Sequence, residues 1–204
     1  MTTTSPFDSG RRLPANADAL MQELRGALEP SEKLLWSGFP VQGVRLTAQD
    51  AFLIPFSVLW GGFAIFWETQ VMRSSAPFFF MLWGIPFVAI GLYMIAGRFF
   101  ADAAVRARTV YAVTNRRAVI LSGLFSRNLR SLELFSLGEI NSSEKPDGSG
   151  TITFGAVNPF TTMRGWPGMN RANTSPAFEG IARVREVLGI IRDAQRDASR
   201  GTDS

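Results

Sequence analysis

Two stretches of this chain, residues 51–67 and 76–97, contain no charged side chain, and they limit what the rest can be. A helix needs about 20 predominantly apolar residues to cross the hydrocarbon of a bilayer, with about 17 as the lower limit. The first stretch meets that limit and the second exceeds it. Both are apolar all round, and a helix of that kind must be enclosed by protein or by lipid. A chain of 204 residues leaves little to wrap two of them. The expectation is a two-helix transmembrane hairpin. Pro55 and Pro86 are costly inside a soluble helix but tolerated in a membrane span. Asp50 and Ser75 stand where N-caps belong, with Pro77 just inside the second start. Trp60, Trp67 and Tyr93 are candidate interfacial anchors. Ser57, Gly61 and Ala64 share one face of the first helix, and Gly84 and Gly91 one face of the second. Small faces let two backbones approach closely in lipid.

Charge orients the hairpin. The connecting residues, 68–75, hold one Arg and one Glu. Arg98, Arg106, Arg108, Arg116 and Arg117 follow the second stretch, and Lys33 and Arg45 precede the first. The positive-inside rule puts both termini in the cytoplasm. The net charge of +4 rests on 19 Arg and two Lys, Lys33 and Lys145. Such a balance suits a membrane surface or nucleic acid, and the juxtamembrane arginines favour the membrane over nucleic acid.

The chain has no Cys and no His. Disulfides, thiolate or imidazole metal sites, and Cys or His catalysis are therefore excluded. No phosphate-binding loop, nucleophile elbow or dinucleotide motif is present. No cofactor is expected.

Outside the hairpin the chain reads as follows. Residues 1–30 form a flexible tail, without the apolar core of a signal peptide, ending in a short helix. That helix covers 18–28, with Leu20, Leu24 and Leu28 on one side, and Pro30 ends it. Residues 31–50 make a strand and turn before the membrane, with Trp36 as a packing residue. Residues 98–198 carry short β-rich segments and a final helix, and 199–204 are a tail. Strands are expected over 109–114 and 117–122, joined by a tight turn at Asn115-Arg116 in which Asn takes a left-handed conformation. Further strands fall at 129–137, 138–143 and 151–155, with an explicit turn cluster at 144–150. A long loop, 158–175, precedes a helix over 176–198 whose apolar stripe is Phe178, Ile181, Val184, Leu188 and Ile191. Short antiparallel strands closed by one amphipathic helix is the order of a pleckstrin-homology-like (PH-like) barrel.

The run from Tyr111 to Ile120 resembles the Y-x-[VL]-T-[ND]-x-R hairpin of bacterial PH-domain membrane proteins, a family once grouped as a domain of unknown function. Residues 32–40 resemble the segment preceding the membrane hairpin in one branch, 150–155 a later strand, and 176–181 the start of the final helix. The likeness spans roughly 28–192. It implies an architecture: an α+β membrane protein with a two-helix transmembrane hairpin and a cytoplasmic PH-like antiparallel β-barrel capped by a C-terminal helix, in a bacterial inner membrane. It implies no general activity and no catalytic residues.

The functional expectation is a non-enzymatic membrane-anchored module that binds a protein partner, a second copy of itself, or anionic lipid head groups. Arg116, Arg117, Arg127 and Arg130 lie in or beside the first strand turns. If they converge they attract anions, each contributing about 1 kcal/mol near an anionic leaflet. The competing reading is scattered solvated charge. The two-residue turn is short for cradling a head group. The long loop adds Arg164, Trp166 and Arg171, suited to a protein contact or to the interfacial layer. Trp166 folding back as a cap on the domain's own core is the alternative. Two other functions remain: a membrane-associated enzyme using Glu133, Glu139, Glu144 and Asp147, or a subunit of an oligomeric transporter. The spans carry no internal charge that would mark an ion relay.

Overall fold

A computed structural model describes residues 13–44, 46, 50–74, 77–124, 126–155 and 175–200. The chain divides into two compact units. Of the described residues, one comprises those within 13–43, 104–155 and 175–200, and the other those within 44–103.

The first unit is α+β. Its strands are β1 (Leu34–Gly38), β2 (Val110–Thr114), β3 (Arg117–Ser122), β4 (Asn128–Glu133), β5 (Ile140–Glu144), β6 (Gly150–Phe154) and β7 (Ala177–Ile181). They form two antiparallel sheets, of order β1-β2-β3-β4 and β5-β6-β7. Neither sheet closes on itself, so the expected barrel is instead a pair of open sheets. A short 3-10 turn, Leu134–Ser136, ends the run that the sequence suggested as one strand over 129–137.

All five β2 residues are buried. Side chains of a strand alternate between faces, so both faces of β2 must be covered. Tyr111 and Val113 enter the main core with Ala118 and Ile120 of β3. Val110 and Ala112 point the other way, with Val119 and Leu121, and meet Leu20 and Leu24 of helix α1 (Ala17–Gly26). The β5–β7 sheet keeps simple alternation: Ile152 and Phe154 are buried, while Thr151 and Thr153 lie half-exposed on the other face.

The main core centres on Phe178. Its ring lies 4.9 Å from Tyr111, 4.9 Å from Phe154 and 5.7 Å from Trp36, centroid to centroid. Trp36 is buried, as a packing residue should be. Its indole lies over Gly38, where an added Cβ would come within 2.5 Å of Trp36 Cζ2. Phe178 belongs to β7, not to the final helix, which is a correction to the reading over 176–198. Phe178 and Ile181 have helical spacing, but Gly180 (φ 62) and Arg183 (φ 50) take left-handed backbones that no α-helix admits. The helix, α5, is Val184–Arg200. Its buried stripe is Val184, Val187, Ile191 and Ala194, and Leu188 and Ile190 flank it half-buried.

The second unit is helical. Helix α2 (Asp50–Arg73) outlasts the uncharged stretch by six residues. Helix α3 (Phe78–Leu92) runs into a π-turn, Tyr93–Gly97, and on into α4 (Arg98–Arg106). A helix does not end where charge begins, so both expected boundaries fall short. Both helices are long and apolar enough to cross a membrane. They meet through the small faces: Ser57, Gly61 and Ala64 are buried on α2, opposite buried Gly84 and Gly91. A Cβ on Gly91 would lie 2.9 Å from Gly61 Cα. Gly84 makes room for the Glu68 carboxylate, which would clash with any Cβ there.

Phe178→Ala is expected to remove about 3–5 kcal/mol, a large share of an ordinary domain's stability. Chemical denaturation of the full-length protein in detergent, followed by near-ultraviolet circular dichroism, measures it. A loss below about 1 kcal/mol would show that Phe178 does not hold the two sheets together.

Candidate functional site

The turn between β2 and β3 carries the residues singled out by the sequence, and it is built differently from a left-handed Asn turn. Arg183 alone among the described non-glycine residues has a positive φ. The turn is held instead by Thr114, whose Oγ1 accepts from the backbone N–H of Arg116 at 3.2 Å and of Arg117 at 3.0 Å. A hydroxyl capping two successive amides replaces the backbone geometry that a positive φ would supply. Asn115 is turned to another task. Its Oδ1 accepts from Lys33 N–H at 2.9 Å, and its own N–H donates to the Lys33 carbonyl.

Arg117 sits at the first position of β3 and reaches back to the segment before β1. Its Nε donates to Glu32 Oε1 at 2.7 Å and its Nη2 to Glu32 Oε2 at 2.8 Å, a bidentate pair. Nη2 also reaches the Ala27 carbonyl, and Nη1 reaches Ser131 Oγ. The Glu32 side chain is fully buried and that of Arg117 is 14% exposed. Glu32 Oε2 further accepts from Glu29 N–H at 2.8 Å, and Thr114 Oγ1 lies 3.2 Å from Oε1. The hydrogen bonds from Arg117 hold the Glu32 carboxyl below its ordinary range, against burial, which pushes it up; the Glu29 amide, the Arg117 charge and the Thr114 hydroxyl add to the lowering. The Arg117 guanidinium is correspondingly raised, first by its hydrogen bond to Glu32.

The other arginines are also engaged. Arg116 meets Glu29 at 3.4 Å on the surface, and Arg127 meets Glu23 of α1 at 2.7 Å. Arg130 lies half-exposed on β4 and has an interaction of its own. Glu23, Glu29 and Glu32 therefore neutralise three of the four cations proposed as one patch. Arg164, Trp166 and Arg171 lie outside the described residues, as does all of the 158–175 loop except Ser175. The carboxylates considered for catalysis are dispersed in role. Glu144 pairs with Arg185 at 2.5 Å, and Asp147 Oδ1 accepts from the Ser149 amide and hydroxyl. Glu133 and Glu139 are exposed. Among the described residues no three His, Cys, Asp or Glu side chains come together as a metal site.

Glu32 is the residue that sequence reasoning missed. It is 85 positions from Arg117, and a lone Glu before a short strand gives no sign of burial. The conspicuous neighbour was Asn115, whose side chain now proves to anchor the adjacent residue.

Protein-family models, characterised proteins and solved structures all yield no match to this chain.

Removing one partner of a buried ion pair costs about 3–5 kcal/mol, so Glu32→Gln is expected to destabilise the protein by that order at neutral pH. The folded carboxyl has a depressed pKa, so the unfolded chain binds the proton more tightly. The clamp's contribution is complete above the ordinary carboxylate range and fades as pH falls through the folded-state value. Urea titrations of wild type and Glu32→Gln should converge between neutral pH and about pH 3. A difference independent of pH would show that the ion pair is not what Glu32 supplies.

Proposed function

We propose that the protein is a membrane-anchored, non-enzymatic interaction module: a transmembrane hairpin carrying a PH-like domain on the cytoplasmic side of a bacterial inner membrane. One observation supports it most. Only 22% and 18% of the most apolar windows of the two long helices are buried. Phe52, Leu59, Phe63, Phe78, Phe79 and Trp83 all face outward. The core helix of a soluble protein hides its apolar surface, and patches larger than a few hundred Å² seldom stay exposed to water. Lipid is the solvent that leaves such a surface at low free energy, and the backbone groups of both helices are satisfied within the helix, as a span requires.

The sequence of four strands, three strands and a closing helix supports the PH-like reading and agrees with the resemblance carried by residues 111–120. The pairing of Arg116, Arg117 and Arg127 favours a protein partner or a second copy of the chain over anionic head groups at this turn. Exposed Leu129 on β4 and Phe135 just after it offer apolar contacts for such a partner. The lack of Cys and His removes most nucleophile and metal chemistry, which favours binding over catalysis.

A chain without native cysteine allows clean labelling. Ser74→Cys, between the helices, is expected to react with a membrane-impermeant maleimide in intact cells. Lys145→Cys, in the exposed turn before β6, is expected to react only after the cells are opened. Labelling of Lys145→Cys in intact cells, with Ser74→Cys protected, would reverse the orientation; equal labelling of both only after lysis would remove the hairpin from the membrane.

A further inference from the structure

The seam between α2 and α3 is lined by small residues, with one exception. Ser57, Gly61 and Ala64 are followed on the same face of α2 by Glu68, the first charged residue after the apolar stretch. Gly61 lies against Gly91, and seven residues further along α2 Glu68 lies against Gly84, seven residues earlier on α3. The carboxyl therefore occupies the next position of one continuous antiparallel seam, in the space that a Cβ on residue 84 would need. Glu68 Oε2 is buried and has no hydrogen-bond partner, and no described residue forms an ion pair with the side chain. The charged groups around it do not compensate. Arg73, five residues on along α2, is exposed, and α3 carries no titratable side chain. Asp50 and Arg98 pair with each other at the opposite end of the hairpin, where Tyr93 also lies. A buried oxygen without a donor keeps its desolvation penalty, and that penalty is far larger for a carboxylate than for a neutral acid.

We infer that Glu68 is a proton-binding site built into the hairpin: as the neutral acid it packs on Gly84, and as the carboxylate it leaves the seam for water. The inference rests on the reading of α2 and α3 as membrane spans. Glu68 is 18 residues beyond Asp50 in α2, roughly 27 Å along a helix axis. With Asp50 at one edge of a hydrocarbon layer about 30 Å thick, Glu68 lies just inside the other edge. In the proposed orientation that edge is the outer one, close enough to water for a proton to exchange. Ionisable side chains within spans are rare, face the interior, and mark sites where protons or ions are handled. A metal cation needs several oxygen ligands, and among the described residues no acidic cluster includes Glu68. A proton needs only the one carboxyl. Its release would place a charge in the seam, so the outer end of the hairpin packs tightly in the protonated form and loosens in the ionised one.

The test uses dicyclohexylcarbodiimide, an apolar reagent that adds to protonated carboxyl groups in lipid surroundings. The full-length protein is treated in its own membranes over a series of pH values, and the modified residue is located by peptide mass spectrometry. Glu68 should be labelled, and labelling should be lost as the pH is raised into the alkaline range. Gly84→Ala puts a Cβ where the carboxyl lies and should abolish the labelling. Gly62→Ala, at a glycine with open space around it, should leave labelling as in the wild type. Absence of label on Glu68 at every pH, labelling that does not change with pH, or labelling unchanged by Gly84→Ala overturns the site. Loss of labelling in Gly62→Ala as well as in Gly84→Ala overturns the role given to the Gly84 contact. Carbonate extraction of the same membranes separates this from the reading beneath it. Release of the chain overturns the spanning hairpin and the site with it, whereas a chain that stays in the membrane with Glu68 unlabelled overturns the proton site alone.

Discussion

The bidentate pair between Glu32 and Arg117 is the interaction on which the α+β unit depends. It joins a segment at the start of the chain to a hairpin that begins some 80 residues later, after both long helices. Around it, Lys33 exchanges backbone and side-chain hydrogen bonds with Asn115, and Arg117 Nη2 holds the carbonyl that follows α1. These contacts set the register of β1 on β2, with Leu34 opposite Thr114 and Gly38 opposite Tyr111. Because successive side chains of a strand face opposite ways, a slip of one residue would turn Trp36 out of the core. The same contacts place α1 over the outer face of β2 and β3. One buried ion pair thus governs both faces of the central hairpin. It withstands burial because nearly every hydrogen-bonding position of the two groups is filled.

The two units solve packing in opposite ways. In the sheets, large rings interlock around Phe178, and a single glycine, Gly38, is kept small so that an indole can lie on it. In the helical unit the large rings point outward and the small residues meet. Water drives the first arrangement by excluding apolar surface. If the helices span a membrane, as proposed, it cannot drive the second, where the alternative neighbour would be equally apolar, and close approach of the Gly61 and Gly91 backbones would supply the contact. Aromatic residues gather inside one unit and outside the other.

Much of this was legible in the chain because it is local. The uncharged stretches, the small faces of α2 and α3, the β2–β3 hairpin, and the alternation of Ile152 with Phe154 depend on neighbours within a few residues. What escaped depends on distant ones. Phe178 and Ile181 have helical spacing, and only pairing with β6 and the left-handed Gly180 and Arg183 make the segment a strand. Complete burial of β2 reveals two covered faces, but an apolar pentapeptide does not announce that α1 is the second cover. The arginines misled for a related reason. Charge counting registers cations near a turn, but their partners Glu23, Glu29 and Glu32 precede them by 85 to 104 residues of chain. A patch of positive sequence became a set of neutral pairs.

That difference also separates the two buried arginines. Arg117 and Arg98 each pair with a carboxylate supplied from far back in the chain, and each is nearly sealed from solvent. Arg117 spends Nε, Nη1 and Nη2 on Glu32, Ser131 and Ala27, and the result is a closed joint. Arg98 uses Nε and Nη1, and its buried Nη2 has no acceptor among the described residues. Desolvation of a guanidinium is costly enough that an unfilled N–H is not a neutral detail. Sequence alone cannot distinguish the two, since both read as an arginine just beyond an apolar segment. The distinction arises from backbone geometry. A regular β-strand start presents Arg117 to acceptors already fixed by the fold, whereas Arg98 follows the π-turn and keeps one donor without an acceptor among the described residues.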